Sequence, residues 1–318
     1  MTVGVVVPAY NVAPYIGQCL QSIISQDYRD LQIVVVDDGS TDRTPEVLAE
    51  YAKVDGRITV IRQENAGLSE ARNTAMRHIT APMVTMVDGD DMLLPGIVTA
   101  WVEALQRYPQ CDMAISGFTA NPRITRYPVN TIIWQKLSGK KCLKNMLYRR
   151  KGYYMSAWGS LMRTALWKGV TFPPGKIYED LATMWRIFLR CDTVLHATTP
   201  GYYYRQRPGS IINTFTPRRF DVLDICRNLV DEMSRVSPEM ARAACDRQFS
   251  AACNILGLLQ RNRLSSTPPA DRCWEIIRRQ RAAVFRDSDS RVRNRLAALL
   301  SPVTGRWLTA RILARFVR

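Results

Sequence analysis

Through the first third of the chain, apolar residues fall in short unbroken runs, each followed by a polar cluster and then by apolar positions at helical spacing. "VGVVVPAY" predicts a buried strand, and Ile16, Leu20, Ile23 and Ile24 mark a helix opened by Pro14. "LQIVVVDDGSTD" predicts a second strand entering a polar turn, and Val47, Leu48 and Tyr51 mark the helix after it. "RITVIRQ", the helix "LSEARNTAMRHI", the strand "MVTMVD" and a helix from Pro95 carrying Val98, Trp101, Val102 and Leu105 continue the alternation as far as a strand at "MAISGF". Strands with little internal alternation, separated by helices, imply a parallel sheet covered on both faces: an α/β, doubly wound fold. Ligands of such sheets bind beyond the carboxyl ends of the strands. Here those ends carry "PAYN", "DDGSTD", "QENAG" and "DGDD".

Residues 113–215 are less regular, and the sheet is expected to be completed there with an antiparallel element around "YYYRQ". From 216 onward the pattern turns helical, with Val222, Ile225, Leu229 and Met233, then Ala251, Ile255, Leu258 and Leu259. "SSTPPAD" at 265–271 is expected to be a loop, and Pro302 and Gly305 are expected to break the last helix.

Composition is ordinary for a globular chain of 318 residues, but the net charge of +16 is unevenly distributed. Acids outnumber bases up to residue 112, whereas Glu179, Asp180 and Asp192 are the only acids between 113 and 218. A basic later portion points to an anionic partner: nucleic acid, an anionic membrane face or a phosphorylated substrate. No apolar run reaches the length of about 18 residues that suggests a span, and no basic leader precedes the first strand, so neither a membrane span nor a signal peptide is expected. Eight scattered cysteines without a C-x-x-C pair read as reduced core residues of a cytosolic protein.

"VDGDD" stacks Asp88, Asp90 and Asp91 directly after a strand. On an extended segment Asp88 and Asp90 share a face, and Gly89 would let the backbone approach a ligand. With no adjacent Lys or Arg, the pair suits an oxygen-ligated Mg²⁺ or Mn²⁺ ion that also binds substrate phosphates. The alternative is a solvated turn.

Taken in order, "VVVPAYNV", "VVVDDGSTDRT", "ENAGLSEARN", "VDGDD", "IYEDL" and "YYYRQRPGSI" resemble the inverting glycosyltransferases of family 2, which have a GT-A fold: a Rossmann-like nucleotide-binding sheet with helices on both faces. The resemblance covers residues 3 to about 213. It implies a catalytic domain over 1–215, with 1–112 binding the nucleotide sugar and 113–215 on the acceptor side, followed by a helical region over 216–318. Metal and diphosphate fall to Asp90 and Asp88, with Asp88 also contacting the ribose and Asp91 either reaching the donor sugar or supporting the loop. Pro8, Tyr10 and Asn11 wall the base, although Tyr10 reads equally as a core aromatic. Asp38 accepts from the uracil N3–H, while Asp37 bonds the backbone of its turn. Ser40, Thr41 and Asp42 cap the next helix.

Asn65 lies near the base or ribose. Arg72, a cation unfavourably close to a helix start, lies near the diphosphate or pairs with a sheet-edge carboxylate such as Asp88. Asp180 is the base that takes the acceptor proton, with Glu179 positioning it. Trp158 stacks on an acceptor sugar or packs in the core, and Arg205, Arg207 and Ser210 close over the diphosphate. Relatives often carry His in this last segment, where this chain has Arg207.

The resemblance thus implies a metal-dependent transfer from a UDP-sugar to a saccharide acceptor, lipid-linked or part of a growing surface polysaccharide. The rival readings are a nucleotidyltransferase acting on sugar phosphates and a basic nucleic-acid-binding protein. The first lacks a Gly-rich phosphate loop with Lys, the second any zinc finger or RNP-like segment, so no nucleic-acid partner is expected. Arg311, Arg315 and Arg318 beside Leu308, Ile312 and Phe316 form an amphipathic tail, which reads either as a basic helix packed on the catalytic domain or left loose, or as an interfacial helix; the latter predicts peripheral attachment of residues 291–318 to the anionic cytoplasmic face of the cell membrane.

Overall fold

The central strand β1 (Val3–Ala9) is buried at every position, with β2 (Leu31–Asp37) and β4 (Met83–Met86) parallel to it on either side. In this computed structural model, which describes residues 1–123, 132–207 and 215–316, β3 (Ile58–Arg62) extends the parallel set beyond β2. With β5 (Met92–Leu93), β6 (Met113–Thr119), β7 (Gln135–Ser138), β8 (Ser160–Arg163) and β9 (Thr193–Tyr203), the full sheet among the described residues has nine strands in the order β3-β2-β1-β4-β8-β6-β9-β5, with β7 also on β9.

Alternation divides the buried strands between two faces. Val3, Val5, Val7, Ile33 and Val35 meet α1 (Ala13–Ile24), α2 (Thr44–Val54) and α4 (Ile97–Arg107) through Ile16, Leu20, Leu48, Val98 and Trp101. The other face receives α3 (Leu68–His78), which packs on β1 and β2.

The parallel set ends at β4. There β8 (Ser160–Arg163) inserts antiparallel between β4 and β6 (Met113–Thr119), so "MAISGF" keeps the expected direction without being β4's neighbour. The expected antiparallel element around "YYYRQ" has two sides: β9 (Thr193–Tyr203) runs parallel to β6, while Tyr202 and Tyr203 pair antiparallel with the short β5 (Met92–Leu93). This last pairing brings the chain after Tyr203 to the turn after β4.

The chain divides into two compact units. One comprises Met1–Leu143, Gly152–Gly175 and Glu179–Arg207, and holds the sheet. The other comprises Lys144–Lys151, Lys176–Tyr178 and Pro208–Arg318, and is built on α7 (Asp221–Val236), α8 (Pro238–Arg261), α9 (Pro268–Arg286) and α10 (Val292–Ala314). The second half of "SSTPPAD" is helix rather than loop, because Pro268 sits at the first helical turn, where its missing N–H costs nothing. Helix α10 does break where expected, with non-helical backbone at Gly305. No helix among the described residues is long and apolar enough to cross a membrane. All eight cysteines are free.

Gly89 serves the packing of the first unit. A Cβ there would lie 2.8 Å from the Pro8 carbonyl oxygen and against Ile16 and Val12, so the glycine admits a close approach to the backbone of β1. Gly89→Ala is therefore expected to destabilise the protein by about 1–3 kcal/mol, read from the urea midpoint.

Candidate active site

Residues 88–91 form a turn, with Asp91 N–H donating to the Asp88 carbonyl (2.9 Å), so the three aspartates do not share one extended face. Each meets a different partner. Asp88 accepts from Arg72 Nη2 (2.7 Å) and Asp90 from Arg207 Nε (2.5 Å). Asp91 is buried and accepts from the Tyr202 hydroxyl (2.8 Å) and the Arg205 amide (2.8 Å). The cations missing from the local sequence arrive from α3 and from the segment after β9.

Arg72 is the hub. Its side chain is 1% exposed, and besides Asp88 it donates from Nη1 to Glu179 (2.8 Å) and Asp180 (3.0 Å) at the start of α6 (Glu179–Arg190). The Phe172 ring lies under its guanidinium, 5.2 Å from the ring centroid. Burial opposes its charge, but three carboxylates overcome that and hold the group firmly protonated. The turn after β4 and the Glu-Asp pair, about ninety residues apart in sequence, are thereby held within reach of one side chain.

The remaining charge is unbalanced. Asp180 is pushed up to about 7, first by burial and then by Glu179 and Asp88, against the pull of Arg72. Burial, then Asp88 and Asp90, push Asp91 up to about 8. Asp90 is raised by burial and by Asp88, with Arg207 opposing. An acid-rich, oxygen-only site of this kind fits a hard divalent cation. Among the described residues no group of three or more metal-ligating side chains is assembled in advance, and Asp90 would exchange its Arg207 partner for the ion.

The expected nucleotide residues separate into two sets. Asn11, in left-handed backbone (φ 50°), turns its side-chain oxygen to the Thr41 and Asp42 amides, while its own amide donates to Ser40 Oγ. It ties two loops together. Asp42 and Thr44 accept from the amides of Ala13 and Val12, so this turn caps the start of α1 as well as leading into α2.

Asp38, expected on a uracil, has its carboxylate engaged by Gln63 Nε2 (2.7 Å) and the amides of Ala66 (2.9 Å) and Gly67 (2.8 Å). Asn65 donates to the Asp38 carbonyl. Both residues pin the loop after β3, whose Ala66 and Gly67 amides are taken up by Asp38. Asp37 does accept from its turn, at the Ser40 amide. Pro8 is buried at the end of β1, and Tyr10 is 47% exposed.

Trp158 lies in an aromatic cluster, stacked on Tyr202 (4.5 Å) and edge-on to Phe118 (5.2 Å), which favours packing over a free sugar platform. Arg205 braces the turn through the Asp90 carbonyl (2.7 Å) and reaches Gln18. Ser210 lies outside the described residues. Sequence reasoning missed Tyr202, whose hydroxyl also accepts from the Asp88 amide, and Tyr15, whose ring lies under Arg205 and Arg207. Three tyrosines ahead of Arg-Gln-Arg were the available signal for the first.

Residues 4–169, just over half the chain, match the family model described as "Glycosyl transferase family 2". Glycosyltransferase GlyA of Streptococcus pneumoniae is 33% identical over 73% of this chain, which spans only 34% of that protein's length. The uncharacterized glycosyltransferase EpsJ of Bacillus subtilis is 30% identical over 66% of the chain and 62% of its own length. Among solved structures, Staphylococcus aureus TarS 1-349 in complex with UDP-GlcNAc superposes over 99% of this chain and 91% of its own with a TM-score of 0.68 at 19% identity. PcManGT of Pyrobaculum calidifontis, a mannosyltransferase in complex with GDP-Man and Mn²⁺, gives 0.50 at 20% identity over 99% of this chain and 87% of its own. Both carry the GT-A-like architecture seen here.

Replacing Arg72 by Ala strands three carboxylates and is expected to cost about 3–5 kcal/mol of stability. The loss should be larger at pH 8 than at pH 5, where Asp180, pushed up to about 7, takes up a proton, and Arg72→Lys should recover only part of it because an ammonium cannot fork between partners. Denaturant unfolding at the two pH values checks both.

Proposed function

This chain belongs to glycosyl transferase family 2, and from that premise we propose that it transfers a sugar from a nucleoside diphosphate donor to an acceptor hydroxyl with inversion at the anomeric carbon. The observation that carries the reading is the Arg72 bridge, which gathers the aspartate turn and the carboxylate pair of α6 into one cluster where Asp180 is pushed up to about 7. A carboxylate with that affinity is half ionised at neutral pH and takes a hydroxyl proton far better than an ordinary aspartate.

In the proposed reaction Asp180 accepts the acceptor's O–H proton as that oxygen bonds to the anomeric carbon. The bond from that carbon to the diphosphate oxygen breaks on the opposite side, and the nucleoside diphosphate leaves with the electron pair. Glu179 shares Arg72 with Asp180 and so fixes its orientation. Asp90 and Asp88 would hold a Mg²⁺ or Mn²⁺ ion, which when bound supplies Lewis-acid neutralisation of the leaving diphosphate. Arg205 and Arg207, already at the turn, add positive charge on the same side. Pro8 and Tyr10 border the base.

A UDP-sugar is the donor we favour, supported by the TarS complex named for UDP-GlcNAc. The PcManGT complex, named for GDP-Man and Mn²⁺, supports a divalent ion and makes GDP-sugars the comparison to run. The acceptor we propose is a saccharide, lipid-linked or part of a growing surface polysaccharide, at the cytoplasmic membrane face. The exposed apolar residues of α10, among them Val303 (89%) and Trp307 (57%), on a helix whose charged residues are all arginines, support peripheral attachment. The exposure is heavier in the first half of α10 than the Leu308–Ile312–Phe316 stripe led one to expect, and Ile312 itself is half-buried.

Two measurements test this. Sugar release from a panel of UDP- and GDP-sugars with added Mg²⁺ or Mn²⁺ should show a kcat/KM that rises with pH through about 7 as Asp180 loses its proton. Bound cation should shift that limb downward. Asp180→Asn should lose it with at least about a hundredfold of the rate; an unchanged profile would remove Asp180 as the base. Deleting residues 291–318 should release the protein from sedimenting membranes, and continued co-sedimentation would refute attachment through the tail.

A further inference from the structure

Far along the chain from the aspartate turn, in the helical unit, guanidinium groups converge where α10 begins. Arg247, Ser250 and Asn254 share one face of α8. Arg291 donates from Nη2 to Ser250 Oγ (2.6 Å) and Arg293 from Nη2 to Asn254 (2.7 Å), which sets both beside Arg247. Arg149, in left-handed backbone (φ 51°) after α5 (Gly139–Leu147), faces the same group. Burial and then the charges of Arg247, Arg291 and Arg293 push it down to about 10. The acids nearest this group are Asp246, which is buried and accepts from Asn294 Nδ2 (2.8 Å), and Asp287, which acts on the Asp246 carboxyl and accepts from the Tyr148 hydroxyl (2.6 Å). The guanidiniums still outnumber these acids.

Two further features mark the place as built for an anion. Arg291 Nε is buried without a hydrogen-bond partner. Helix α10 starts here with no side-chain cap and no acid in its first turn, where Arg293 and Arg295 oppose the helix dipole. A helix start normally gathers acids, and cations there raise the energy unless an anion lies between them and the amides.

We propose that Arg149, Arg247, Arg291 and Arg293 form a binding site for a phosphate mono- or diester at the N-terminus of α10. Guanidinium forks and helix amides match the several oxygens of a tetrahedral phosphate, and a ligand of charge −1 or −2 relieves the repulsion that the folded chain carries. A free phosphate and a phospholipid headgroup share this chemistry, and the arms of the test separate them. Val292, Leu296, Leu299, Leu300 and Val303 form an exposed apolar stripe starting at the same point, so a headgroup bound there would leave its chains beside apolar surface. The site is independent of the transferase reading, since none of its residues belongs to the catalytic cluster.

The test uses the full chain and the double variant Arg149→Gln/Arg247→Gln. Gln carries the same backbone constraint as Arg at position 149, and both substitutions remove repulsion, so the fold should persist. A control, Lys53→Gln/Arg278→Gln, removes equal charge from exposed positions elsewhere. Calorimetry with inorganic phosphate and with glycerol 1-phosphate reads the free ligand, and co-sedimentation with phosphatidylcholine vesicles, with and without phosphatidylglycerol, reads the headgroup. The site variant should bind about tenfold more weakly in at least one arm while the control is unchanged. Loss in the soluble arm identifies a free phosphate; loss only with phosphatidylglycerol identifies a lipid-borne one. Absence of binding in every arm, or equal loss in the control, overturns the proposal.

Discussion

A single buried guanidinium sets the terms for the catalytic unit. Arg72 is nearly inaccessible to water, and such a cation is tolerable only where its hydrogen-bonding directions are filled by opposite charge. Asp88, Glu179 and Asp180 fill them. Each comes from a different place: the turn after β4 supplies one, and the start of α6 the other two. The requirement to neutralise Arg72 therefore fixes the distance between those elements as firmly as hydrophobic packing fixes the strands beneath. It also explains why a cation sits near the start of α3, where the helix dipole disfavours it: the carboxylates it meets outweigh a dipole term of about 0.3–1 kcal/mol.

The same arrangement leaves negative charge over. One guanidinium serves three carboxylates, and burial strengthens the repulsion among those incompletely paired, so Asp180 and Asp91 hold protons near neutral pH while Asp88 stays tied to Arg72. Neighbouring carboxylates with different proton affinities are what a site needs if one is to accept a proton and others are to hold positive charge. Chemistry and stability therefore pull on one network. A substitution chosen to relieve the charge would also flatten the differences among the carboxylates.

The β-α alternation was legible because buried parallel strands must be apolar on both faces, and "VVVPA" and "IVVVD" cannot be read otherwise. Strand β8 was not legible: "SLMR" is four residues long, follows a Gly, and owes its place to β4 and β6 rather than to its own pattern. The carboxylates of the site stood out against a basic background, but their partners did not. Asp90 meets Arg207 from a distant segment, and nothing in spacing distinguishes that arginine from many others. The expectation of an unpaired acidic pair failed for that reason. Gly89 was seen as a necessary glycine, yet the backbone it admits is that of Pro8.

The loops at the strand ends show why polar residues beside a predicted site need not face its ligand. Loop backbone that is partly buried must find partners for its amides, and short Asn and Asp side chains are the cheapest source of acceptors. Asn11 serves the amides of Thr41 and Asp42, and Asp38 those of Ala66 and Gly67, so residues that look like ligand contacts are used in joining adjacent loops. The joining has its own value: loops pinned to each other lose little freedom when a nucleotide settles against them. On the far side of the site, Asp90 and Arg207 meet through an ion pair that is partly exposed on both sides, and exchanging such a pair costs far less than reopening a pinned loop. Rigidity in the joined loops and exchangeable charge at the aspartate turn follow from how these residues satisfy their own hydrogen bonds.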